Sequence, residues 1–150
     1  MTDLVLGFDF GKRRIGVAVG QSLTGSASAH GTFEAIAGAP DWGAIEAVVA
    51  EWKPTRLLVG RPANMDGTDS AMTGAAEAFA EDLGQRTGLP VALVDERLTS
   101  FEAREHLRDQ RRAGVRNRRV RPGDLDAHAA RLIVETWLAQ QQQQGDATPS

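Results

Sequence analysis

Hydrophobic and polar positions change their period several times along this chain, and each change marks an element. Leu4 to Asp9 is a short apolar run that ends on an acid, the pattern of a buried strand. After a turn over Gly11 to Arg14, Ile15, Val17 and Val19 alternate with small residues and predict a second strand, which makes the opening a hairpin. Ser26 to Phe33 gives a weaker third strand. Asp41 stands as an N-cap before Trp42, Ile45, Val48, Val49 and Trp52, which recur at helical spacing until Pro54 stops them. Leu57-Leu58-Val59 has the unbroken apolarity of a parallel strand buried on both faces. A loop through Pro62 and Gly67 leads to a helix with Ala75, Ala76, Phe79, Ala80 and Leu83 on one side, ended by Gly88-Leu89-Pro90. Val91 to Val94 is the last strand. Thr99-Ser100-Phe101-Glu102 fits a capping box for a further helix, and a final helix from about Asp124 carries Ala129, Leu132, Ile133 and Trp137. Three antiparallel strands followed by alternating helices and strands predict an α/β fold with a mixed five-stranded sheet flanked by helices. One domain is expected over residues 1–139, with 140–150 a low-complexity, disordered tail.

Composition narrows the class. A chain of 150 residues can bury one core and is short for two. Its net charge of -3 gives no overall signature of a nucleic-acid binder, so any such signal must be local. The absence of cysteine excludes disulfides, zinc thiolate sites and cysteine nucleophiles. No stretch reaches membrane-spanning length and no leader pattern precedes the first strand, so a cytoplasmic location without membrane contact is expected.

Three acids stand where a strand ends or a helix begins: Asp9, Glu96 and Asp126. Carboxylate oxygens suit hard divalent cations, and two such ions roughly 3.5 to 4 Å apart can activate a water and neutralise a leaving oxygen in phosphodiester cleavage. Asp9 could equally satisfy its own turn, and Glu96 could form a surface pair with Arg97 or Arg104. Asp126 steps by three and four onto Ala129, Ala130, Ile133 and Trp137, beside an apolar face, but an acid in a first helical turn also suits the helix dipole. Asp124 fits better as that helix's N-cap. Between Arg104 and Arg121 lie arginines at 104, 108, 111, 112, 116, 118, 119 and 121, opposed only by Glu105 and Asp109. Such forks match phosphate oxygens, and without interleaved aromatics they suit the backbone rather than the bases. The Gly60–Gly67 loop could place Asn64 near a phosphate, or be a turn built from Pro, Asn, Asp and Gly. His30, His106 and His128 share no metal-ligand spacing.

As a set these residues resemble the YqgF family, also called RuvX, of pre-16S rRNA nucleases and Holliday junction resolvases with an RNase H-like, RuvC-like fold. The likeness rests on Phe8-Asp9-Phe10-Gly11 with Arg14 to Val19, on Val59-Gly60 with Pro62 and Asn64 to Gly67, on Asp95 to Thr99, and on Asp126 with Ala127, Ala130 and Ile133. It implies that Asp9, Glu96 and Asp126 are the metal-binding catalytic carboxylates, which predicts two Mg2+ or Mn2+ ions with Asp9 bridging both and Glu96 and Asp126 each holding one. It also implies a substrate groove at the Gly60–Gly67 loop. Nucleic acid would then meet Arg13, Arg14, Asn64, Arg97, Arg108, Arg111, Arg112, Arg116, Arg118, Arg119 and Arg121, with Arg13 where the family usually has lysine. The implied function is processing of the 5′ end of pre-16S rRNA in ribosome biogenesis, on free RNA or ribosomal precursor particles, with junction resolution in DNA the alternative. RNA processing permits a monomer and junction resolution favours a homodimer. Two other readings stand beside it: a non-catalytic RNA-binding assembly factor, and an ATP-binding phosphotransferase, which would need a second such domain.

Overall fold

The computed structural model describes residues 4–11, 13–36, 39–62, 66, 68–96 and 122–147, with side chains given for these except 36, 122–126 and 142–147. The chain begins with β1 (Leu4–Asp9), β2 (Arg14–Gln21) and β3 (Ser26–Ile36), an antiparallel meander in which Phe8 faces Val17 and Val19 faces Ser28. Its first turn closes tightly at Gly11, where a Cβ would lie 2.6 Å from the Arg14 carbonyl oxygen. A two-residue strand β4 (Ala39–Pro40) pairs with the end of β3.

Helix α1 (Trp42–Trp52) starts where expected: the Asp41 carboxylate accepts a hydrogen bond from the Ala44 amide at 3.1 Å. Strand β5 (Arg56–Arg61) follows, then helix α2 (Thr73–Thr87), which Gly88 ends in the left-handed conformation at φ 72°. Strand β6 (Val91–Asp95) closes the sheet, and a long helix α3 spans Pro122–Ala147. Sheet order is β4-β3-β2-β1-β5-β6, with β1, β5 and β6 mutually parallel. The sheet has six strands where five are expected, because Ala39–Pro40 is too short to carry a periodic signal. The architecture is otherwise the expected α/β arrangement with a mixed sheet.

Alternation along the strands divides the core between two faces. Leu6, Phe8, Ile15, Val17, Leu57 and Val59 pack with Ile45 of α1 and with Phe79, Ala80 and Leu83 of α2. Val5, Ala18, Leu58 and Val94 turn the other way and meet Ala130, Ile133, Val134 and Leu138 of α3. Gly7 and Gly20 lie on this second face. A methyl on either would overlap Val134, so the helix sits close against β1 and β2.

Two expectations for the last helix need correction. It starts at Pro122, since proline's fixed φ and missing N–H suit a first helical position, so Asp124 lies inside the helix rather than capping it. Its buried stripe is Ala127, Ala130, Ile133, Val134 and Leu138, while Ala129, Leu132 and Trp137 are half-buried. The groove left by Gly7 and Gly20 selects that face. The helix runs on from Gln140 to Ala147, its glutamines being good helix formers that extend turns already anchored by packing. The expected helix after Thr99 lies outside the described residues. No described helix is long and apolar enough to cross a membrane.

Candidate functional site

Asp9 ends β1 and Glu96 immediately follows β6. Both therefore stand at the carboxyl ends of parallel strands, where α/β sheets gather their ligands. Val5 and Gly7 precede Asp9 on the α3 side of β1, and Val94 precedes Glu96 on the same side of β6, so the period of two directs both acids to one face. Both are half-buried.

Strand β5 lies between them, and its residue at this level is Gly60. Phe8 pairs with Val59 and Gly60 with Val94, which sets Gly60 beside Asp9. The Glu96 side chain folds back over it: a Cβ on Gly60 would lie 2.5 Å from Glu96 Oε1 and 3.2 Å from Glu96 Cδ. The carboxylate thus rests above the strand next to Asp9, one strand closer than its own backbone. Ile133 Cδ1 shares the same space, 2.5 Å from that Cβ position.

Helix α3 approaches this end with its N-terminus. Trp137 lies against Arg56 at the start of β5, with 5.8 Å between guanidinium and ring centroid, while Ile133 covers Gly60 near the strand's end. The helix therefore runs against β5, and its positive pole points to the acids. Asp126, two turns before Ile133, has its backbone about 10 Å further along the axis, beyond the strand ends. Its side chain lies outside the described residues. Among the described residues no three His, Asp or Glu side chains form a cluster able to hold a metal ion. The described donors fit a hard cation: Asp9 and Glu96 offer carboxylate oxygens, the glycine leaves room for one of them to cross the sheet, and the chain has no cysteine.

Arg13 and Arg14 stand at the same end of the sheet, Arg13 exposed on the turn and Arg14 half-buried at the start of β2. Asn64, Arg97, Arg108, Arg111, Arg112, Arg116, Arg118, Arg119 and Arg121 lie outside the described residues. In the loop after β5, Asp66 Oδ1 accepts from the Thr68 amide at 3.0 Å and from its hydroxyl at 2.6 Å, so this aspartate builds the turn. Arg61, which sequence reasoning did not single out, pairs with Asp69 at 3.1 Å and with Glu77 of α2 at 3.5 Å. Thr73 is fully buried at the start of α2, donating to the Pro62 carbonyl and accepting from the Ser70 amide at 2.8 Å. These bonds fasten both ends of the loop to the scaffold, and no local pattern in the sequence marks them.

The family model of RuvX, described as Holliday junction resolvase, matches residues 3–140. A protein of Azotobacter vinelandii named "Putative pre-16S rRNA nuclease" is 51% identical over 138 residues, covering 91% of this chain and 94% of its own. A protein of the same name from Legionella pneumophila is 50% identical over 135 residues, covering 90% and 94%. Among solved structures, Thermus thermophilus RuvC in complex with a Holliday junction substrate matches with a TM-score of 0.54 at 18% identity, over 99% of each chain. The yeast mitochondrial Holliday junction resolvase matches with a TM-score of 0.57 at 13% identity, over 95% of this chain and 80% of that one. Both likenesses are of fold.

Proposed function

This chain belongs to the RuvX family, and from that premise we propose that it is a divalent-metal-dependent endonuclease acting on structured nucleic acid, namely the 5′ end of pre-16S rRNA. The observation that carries the reading is the convergence of Asp9 and Glu96 on one face at the carboxyl ends of β1 and β6, with the Glu96 carboxylate over Gly60. Sequence relatives about half identical to it carry the pre-16S rRNA nuclease name, which supports RNA as the substrate.

Asp9 and Glu96 would hold Mg2+ or Mn2+, with Asp126 as the third donor brought by the start of α3. When bound, such ions make a water more acidic and offset charge on the leaving oxygen. The residues of the chain do the rest. The sheet fixes Asp9 and the Glu96 backbone against each other, and α3 covers their face from the side opposite α1 and α2. Arg13 and Arg14 would hold phosphates at the rim, and the arginines between 104 and 121 would anchor the flanking backbone. A second reading, cleavage of four-way DNA junctions, is favoured by the description of the matching family model.

Incubation with Mg2+ or Mn2+ of a 16S rRNA precursor carrying its 5′ leader, beside a labelled four-way DNA junction, separates the two. Leader cleavage that drops at least about a hundredfold in Asp9→Asn is the expected result, since even partners of metal ligands are worth about 10-fold to 100-fold. Paired nicks in the junction alone would replace RNA processing by junction resolution. Binding without cleavage of either would leave a non-catalytic assembly factor.

A further inference from the structure

Gly60 has no side chain to offer a metal or a phosphate, yet the Glu96 carboxylate and the Ile133 side chain both fold over it. The sheet's spacing gives this a consequence. Strands lie about 4.8 Å apart, so a carboxylate that stayed above β6 would be about 9 to 10 Å from β1. Two ions roughly 4 Å apart, with ligand bonds of about 2 Å at either side, span only about 8 Å. Crossing β5 brings Glu96 within that span of Asp9, and it crosses at Gly60.

We infer that Gly60 is a positioning residue of the divalent-ion site: its missing side chain is the passage through which the Glu96 carboxylate reaches the Asp9 side of the sheet. Ile133 fills the space beside the carboxylate from the helix. An alanine at position 60 meets Glu96 Oε1 and Ile133 Cδ1 at 2.5 Å each, so one or both must give way. The carboxylate is the end of a flexible side chain at a half-buried position and yields first, whereas Ile133 is 2% exposed and held by its neighbours.

The inference rests on the metal-dependent reading above, and direct Mn2+ binding to the full chain without nucleic acid, followed by electron paramagnetic resonance, tests the two separately. Wild type is expected to bind Mn2+. Gly60→Ala is expected to weaken that binding about 10-fold to 100-fold while the melting transition persists. Gly60→Ala with Ile133→Val removes the Cδ1 overlap, so it should regain thermal stability without regaining Mn2+ affinity. Ile133→Val alone should bind as wild type does. Wild-type affinity in a folded Gly60→Ala variant would overturn the inference and leave the metal-dependent reading intact. Restored affinity in the double variant would overturn it too, because Ile133 would then be the obstacle. A double variant that cannot fold would show that Gly60 serves sheet packing alone. Absence of Mn2+ binding by wild type would overturn the metal-dependent reading, and this inference with it.

Discussion

Val134 shows how much a single residue decides here. It is fully buried, and its two γ-methyl groups reach the positions where Gly7 and Gly20 would carry a Cβ. Gly7→Ala should therefore destabilise the protein by about 1–3 kcal/mol through overpacking. Urea unfolding should show a lower midpoint with an unchanged slope, and adding Val134→Ala should recover part of the loss. An unchanged midpoint would mean that the helix can shift off the sheet at little cost. Asp9 and Glu96 are visible in the sequence because each follows an apolar run, and that local signal is enough to place an acid at a strand's end. The meeting of Gly60 and Ile133 with Glu96 is not, since it depends on the order of β1, β5 and β6 and on the placing of a helix. Arg61 and Thr73 escape sequence reasoning for the same reason: their partners, Glu77 and the Pro62 carbonyl, come together only when α2 docks.

At the level of elements, boundaries set by local chemistry are legible. The Asp41 cap and the Gly88 stop each act within a few residues, and both ends fall where the pattern puts them. Asp41→Ala should cost about 1 kcal/mol, read as a drop in the melting temperature. The other end of α1 carries strain: Lys53 takes a left-handed φ of 49° while its amide bonds to the Val49 carbonyl at 2.9 Å. Lys53→Gly should relieve it and stabilise the protein by up to about 1 kcal/mol; a lower melting temperature would instead show that the lysine's side chain matters more than its backbone. What the sequence hides is tertiary. Leu132 and Trp137 look as apolar as Val134 and Leu138, but only the glycines of β1 and β2 decide which pair turns inward.

For the whole molecule, the contrast between a net charge of -3 and the arginines clustered between 104 and 121 separates general repulsion from local grip. If those arginines meet phosphates, replacing Arg111, Arg112 and Arg116 with glutamine should weaken RNA binding. It should also flatten the dependence of log affinity on log salt by about 0.7 to 0.9 for each phosphate no longer neutralised. An unchanged salt slope would assign the grip to the turn arginines at 13 and 14. The molecule is also non-local in its design: Leu6 pairs with Leu57, and β5 in turn with β6, so the sheet that carries the acids forms from distant segments. The seating of Val134 on Gly7 and Gly20 then has a consequence for biosynthesis. Asp9 and Glu96 precede in the chain the helix that packs on their face, so that face of the sheet can be covered only after α3 has been made.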